Sequence, residues 1–183
     1  MNKVAVFLAD GLEEIEGLTV VDVLRRAGVT VDVVSVTDTK KVTGSHDIHI
    51  GADKVIGEIN FDDYEMLILP GGMPGTTNLE ACTALTDAVK AFDAAGKRIG
   101  AICAAPGILG RMGLLEGKNA CCYPGVDDAL KGATVCDVET ITDAHITTGR
   151  SMGCAIPFAL EIVRVLLGEE KSASLKEEIV YMH

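Results

Sequence analysis

Three short segments hold the residues whose types and spacing can do chemistry. The first is Ala101-Ile102-Cys103-Ala104-Ala105-Pro106, in which a cysteine ends an apolar run and has an alanine two positions away on either side. A strand that turns directly into a helix crowds those two flanking positions, so a nucleophile elbow needs small residues there. A thiol at such a turn meets the N-terminal dipole of the following helix, which favours thiolate and predicts a pKa below the usual ~8.5. The second segment is Pro70-Gly71-Gly72-Met73-Pro74-Gly75. Its paired glycines permit close backbone approach, and their amides are candidates for an anion or oxyanion pocket. The spacing is neither a dinucleotide fingerprint nor a P-loop. The third, Asp10-Gly11-Leu12-Glu13-Glu14-Ile15-Glu16, reads as a helix start, where Glu13, Glu14 and Glu16 are expected as first-turn anions. Glu16 can also point toward neighbouring strand ends, where a protonated carboxyl would hydrogen-bond a thiolate and shuttle protons.

Histidine is the part this set lacks. His46, His49, His145 and His183 are the four in the chain, and none adjoins Cys103. A Cys-His-Glu triad would need a histidine delivered by the fold. His145 opens a predicted strand and reads as structural, and His183 is terminal. The other cysteines, Cys82, Cys121, Cys122, Cys136 and Cys154, form no C-x-x-C pair and no zinc-ligand spacing. They read as small core hydrophobes, and no metal site is expected. Vicinal Cys121 and Cys122 would face opposite sides of a strand.

The elements that must position these residues alternate strand and helix. Strands are predicted at Val4–Ala9, Val31–Val36, Met66–Leu69, Arg98–Ile102, Asn119–Tyr123, Val135–Ile141 and His145–Thr148. Helices are predicted at Glu13–Ala27, Leu79–Ala95, Val126–Leu130 and Cys154–Leu167, with a charged terminal helix from about Glu169. Thr37 to Gly51 reads as a small hairpin excursion. This order implies a mostly parallel sheet with helices on both faces, with ligands gathering at the carboxyl ends of the strands. No linker, repeat or low-complexity tract divides residues 1–183, so one domain is expected.

Composition narrows the function classes. The chain has 183 residues, 48% hydrophobic and 23% charged, which excludes a disordered chain. Sixteen basic against 27 acidic residues give a formal charge of -11, which argues against nucleic-acid binding. No apolar run approaches the ~20 residues of a membrane span, and the N-terminus has no signal-peptide pattern. A cytoplasmic protein is expected.

Taken together, these segments resemble the DJ-one/ThiJ/PfpI superfamily, and its small DJ-one-like (ThiJ/YajL-like) bacterial proteins in particular. The resemblance spans the chain and rests on G-L-E-E-I-E at 11–16, V-D-V-L-R-R-A-G at 21–28, L-P-G-G at 69–72, A-I-C-A-A-P at 101–106 and T-T-G-R-S-M-G at 147–153. It implies a flavodoxin-like three-layer α/β/α sandwich of the class I glutamine amidotransferase-like kind, with no cofactor. It implies that Cys103 is the nucleophilic, oxidation-prone cysteine, that Glu16 is a protonated glutamate against its sulfur, and that the amides of Gly72 and Ala104, beside Gly71, form the oxyanion site. Protease-like members carry a histidine directly after the cysteine, where this chain has Ala104. The histidine of human-type proteins aligns with Tyr123, a possible auxiliary hydrogen-bond donor but a poor base near neutral pH. Protease chemistry is therefore not expected, and glutaminase chemistry lacks an H-x-E pair.

Two functions fit the resemblance. One is a cysteine-dependent glyoxalase or deglycase acting on dicarbonyls such as methylglyoxal. The other is a redox-responsive stress or chaperone protein whose cysteine climbs to sulfenic or sulfinic acid with little turnover. A homodimer is also implied, and Val20, Val21 and Leu24 on the first helix are expected to contribute apolar surface beyond what one sheet face covers.

Overall fold

The computed structural model describes residues 3–182. Met1, Asn2 and His183 lie outside them, and with them the reading of His183 as a terminal histidine. Eleven strands and six α-helices follow in chain order: β1 Lys3–Leu8, α1 Glu14–Arg26, β2 Thr30–Ser35, β3 Lys41–Thr43, β4 His49–Gly51, β5 Lys54–Val55, β6 Met66–Leu69, α2 Gly75–Ala81, α3 Thr83–Ala94, β7 Arg98–Ile102, α4 Pro106–Arg111, β8 Asn119–Ala120, β9 Thr134–Val135, β10 Thr140–Asp143, β11 Ile146–Gly149, α5 Ala155–Leu167 and α6 Glu169–Glu178.

Seven strands form the central sheet in the order β10-β11-β7-β6-β1-β2-β5. All its pairings are parallel except β10 with β11. Because both faces of the sheet are covered, β1 and β6 are continuous apolar runs rather than alternating ones. Their side chains divide between two cores. Val4, Val6 and Leu8 pack with residues of α1, α5 and α6, and Ala5 and Phe7 pack with residues of α2, α3 and α4. The architecture is the three-layer α/β/α sandwich expected from the alternation of elements.

Several predicted elements are redrawn. The single helix at Leu79–Ala95 is two, because Cys82 takes an extended ψ of 96° between α2 and α3. The strand at Asn119–Tyr123 shrinks to β8, which leaves the central sheet to pair with β9. The 135–141 run also splits, its end becoming part of the antiparallel edge strand β10. Runs this short, without a clear alternation of buried and exposed positions, do not specify by periodicity which sheet a strand joins. No helix among the described residues is long and apolar enough to cross a membrane.

Candidate active site

β1, β6 and β7 are consecutive neighbours in the sheet, so their carboxyl ends bring the three chemistry-bearing segments together. β7 ends at Ile102, and Cys103 follows at once. Its N–H donates to the Gly149 carbonyl (2.9 Å) and its carbonyl accepts from the Tyr123 N–H (2.8 Å). Held from both sides, its backbone takes a φ of +65°. A residue with a Cβ in this left-handed region stores ~1–3 kcal/mol of strain, which the surrounding packing must hold. Ala101 and Ala105 are both fully buried, so the turn has no room for larger flanks. Ala105→Val is accordingly expected to lower Cys103 alkylation at least ~10-fold through a local shift of the turn, with a smaller effect on the thermal midpoint. Iodoacetamide labelling beside a melting curve checks this, and full reactivity in the variant would mean the turn does not depend on its small flanks.

The Gly71-Gly72 pair fits against that turn. A Cβ at position 71 would sit 2.7 Å from Cys103 Cβ and 2.7 Å from Glu16 Oε2, so only glycine lets the three segments close together. Gly72 has a φ of +89°, and a Cβ there would meet the Glu13 nitrogen at 2.2 Å. The Gly71 N–H donates to Glu16 Oε2 at 2.8 Å. The N–H groups of Gly72 and Ala104 lie near enough to the Cys103 sulfur to favour its thiolate. Cys103, Glu16, Gly71, Gly72 and Ala104 thus form one cluster. Tyr123 joins it through its backbone N–H, while its side chain is half exposed.

The three acids of the first segment have three different fates. Glu13 is the N-cap of α1, with a long 3.5 Å contact from the Ile15 N–H. Glu14 is buried, and its carboxylate accepts from the His46 N–H (2.8 Å), lies 2.8 Å from His46 Nδ1 and 3.4 Å from Ser45 Oγ. Burial opposes that charge, but the His46 contacts outweigh it and hold the carboxyl at about 2. This clamp fixes the β3–β4 hairpin over the head of α1. Sequence reasoning missed it; the polar turn Gly44-Ser45-His46-Asp47, in a hairpin that must fold back near an acidic run, was the available signal. Glu16 is fully buried and turned into the site. Its Oε1 is buried without a hydrogen-bond partner of normal geometry.

Electrostatics overturn one expectation. The thiol was expected to be acidic, but burial, then the charge and hydrogen bond of Glu16, push Cys103 up to about 12 against the opposing Gly72 and Ala104 amides. The helix dipole does not rescue it because α4 begins only at Pro106 and has six residues. Burial raises Glu16 as well, to about 7, with the Glu13 charge in the same direction and the Cys103 and Gly71 contacts opposing. The physical content is that this pocket accepts one negative charge, shared between carboxyl and sulfur. Thiolate exists there when Glu16 holds the proton.

Of the other histidines, His145 is far from this chemistry: its Nε2 lies 2.8 Å from Asp93 Oδ1, at the amino end of β11. His49 Nδ1 lies 3.1 Å from Thr43 Oγ1 within the hairpin. A cavity of about 280 Å³ opens beside the cluster, lined by Ala104, Met73, Thr76, Thr77, Val126 and Arg111 among others.

Known proteins resemble this chain in sequence and in fold. Residues 2–165 match the DJ-1/PfpI family. The chain is 37% identical over 181 residues to Protein DJ-1 homolog B of Arabidopsis thaliana, covering 98% of this chain and 41% of that longer protein. The chain thus spans about two fifths of the length of that relative. It is 32% identical over 164 residues to the Glutathione-independent glyoxalase DJR-1.2 of Caenorhabditis elegans, covering 89% of this chain and 87% of the relative. Among solved structures, oxidised Toxoplasma gondii DJ-1 superimposes with a TM-score of 0.96 at 36% identity, with complete coverage of both chains.

Proposed function

The chain belongs to the DJ-1/PfpI family, and from that premise we propose that it is a cofactor-independent glyoxalase that converts methylglyoxal and related dicarbonyls to hydroxy acids. One observation carries the reading: Cys103 stands under two backbone amides and against a buried, protonatable carboxyl. The sulfur adds to the aldehyde carbon to give a hemithioacetal, whose oxygen the Gly72 and Ala104 N–H groups stabilise. Glu16 carries the proton from the former aldehyde carbon to the neighbouring carbonyl carbon by way of an enediol, leaving a thioester. Water cleaves the thioester, releases lactate and restores the thiol. The same attack would serve deglycase chemistry on dicarbonyl adducts of amines. The relative named as a glutathione-independent glyoxalase supports this reading. Enzymatic detection of lactate from methylglyoxal, without added glutathione or metal, tests it; no lactate above the buffer blank would sink it.

A redox-responsive role is the second reading, and the buried Glu16 Oε1, which has no hydrogen bond of normal geometry, favours it. A protonated carboxyl at that position can donate to an oxygen added to Cys103, stabilising the sulfinic state. Substantial lactate production favours the first role, and quantitative Cys103 sulfinate without turnover favours the second.

A homodimer is part of the proposal, on different residues from those expected. Val20, Val21 and Leu24 are buried in the core beneath α1. The apolar surface left exposed on this side is Ile15, Leu18 and Ile156, and Leu18 and Ile156 line one surface depression. Sedimentation at micromolar concentration should give twice the chain mass of 19.2 kDa. Leu18→Glu should shift it to the monomer, and a monomeric wild type would dismiss the interface.

A further inference from the structure

We propose that Cys121 and Cys136 form a reversible disulfide when the protein meets a peroxide, and that this cross-link tightens the wall of the cavity beside Cys103. The placement comes from register. β8 and β9 pair in parallel at Asn119 with Thr134 and at Ala120 with Val135. The Cys136 N–H donates to the Ala120 carbonyl at 2.8 Å, the bond that closes the Ala120–Val135 pair, so Cys121 and Cys136 are the next residues along the two paired strands. Neighbouring strands lie ~4.7–4.9 Å apart, within the ~4.4–6.8 Å that a disulfide needs between Cα atoms.

Continued strand alternation would put the two side chains on one face. Alternation puts Cys121 on the face of Asn119 and Cys136 on the face of Thr134. The Cys136 sulfur lies 4.0 Å from Asn119 Oδ1 and 3.6 Å from the Thr134 carbonyl. Cys121 is fully buried, and its thiol donates to the Thr148 carbonyl at 3.3 Å. Each strand has two residues, so closing the two Cβ atoms to disulfide distance moves two strand ends and exchanges the Cys121 thiol's bond to Thr148 for the cross-link.

Access sets the order of events. Cys136 lines an open pocket of about 350 Å³ with Arg150 and Asp137, whereas Cys121 has no exposed surface. The peroxide therefore oxidises Cys136 first: its sulfur takes one peroxide oxygen, giving a sulfenic acid and water or an alcohol. The Cys121 sulfur then attacks the sulfenic sulfur. The S–S bond forms, the S–O bond breaks, and hydroxide leaves with the thiol proton as water. The two thiols supply the two electrons that reduce the peroxide.

The bond would close a loop containing Tyr123, whose N–H holds the Cys103 carbonyl, and Val126 and Ala129, which line the cavity beside Ala104. The inference stands apart from the proposed activity, because it requires no turnover at Cys103.

The test uses the full chain carrying Cys103→Ser, so that oxidation of Cys103 itself cannot contribute. After treatment with hydrogen peroxide, the intact mass should fall by two hydrogens in most molecules. Unreduced peptide mapping should join Cys121 to Cys136, and the thermal midpoint should rise and return with reductant. Adding Cys136→Ser, or separately Cys121→Ala, should remove both the mass change and the shift. Sulfinic acid on Cys136 without a cross-link would overturn the proposal, and so would a bond from Cys136 to Cys122 or Cys154.

Discussion

Cys103→Ser is expected to lower methylglyoxal turnover by ~10³-fold or more, because the hydroxyl is a far weaker nucleophile and nothing nearby is placed to activate it. Glu16 shares its proton with sulfur in a pocket that tolerates one negative charge, and serine has no accessible anion to take that charge. The fold should survive. The elbow is held by backbone hydrogen bonds to Gly149 and Tyr123 and by the buried alanines, none of which the substitution alters. The thermal midpoint should stay within ~4 °C of wild type, the shift that ~1 kcal/mol produces in a chain of this size. Lactate formation and a melting curve on the same preparation decide the matter. Retained turnover would move the nucleophile elsewhere.

Glu16→Gln should change both activity and the pH dependence of stability. The native carboxyl titrates at about 7 rather than its ordinary 4.5, chiefly because burial penalises its charge. Between those values the native state keeps a proton that the unfolded chain has lost. Stability from this group is therefore full below about 4.5 and is lost as pH rises through about 7. The loss amounts to roughly 3 kcal/mol, and glutamine does not titrate. Urea unfolding at a series of pH values should show the variant gaining on wild type by that order between pH 5 and 8. A constant difference across the series would mean that Glu16 is not protonated in the native state. Glutamine keeps a donor toward the sulfur but has no proton to transfer, so dicarbonyl turnover should fall ~10²–10⁴-fold. Glu14 does not blur the comparison, because its carboxyl is held at about 2 and titrates below this window.

The parts of this protein legible in the sequence are those written into local patterns. Continuous apolar runs identified β1, β6 and β7, and helical spacing identified α1 and α5, because strands and helices buried against a two-sided sheet leave strong periodicities. Cys103 was legible because an elbow demands small residues at fixed offsets, and Ala101 and Ala105 meet that demand within a span of five residues. Strand order was not written locally. Glu16 and Gly71 lie 55 positions apart, and only the adjacency of β1 and β6 brings carboxylate and amide to 2.8 Å. Glu16 was legible as the acid able to point toward the neighbouring strand ends, but the fate of Glu14 was decided by tertiary structure, since nothing in a first-turn acid signals a hairpin clamp. The shift in Cys103 had the same origin. Helix dipole and elbow geometry are local and favoured thiolate, whereas burial and the Glu16 charge arise only once three strand ends close together, and at that short range in a dry pocket they prevail.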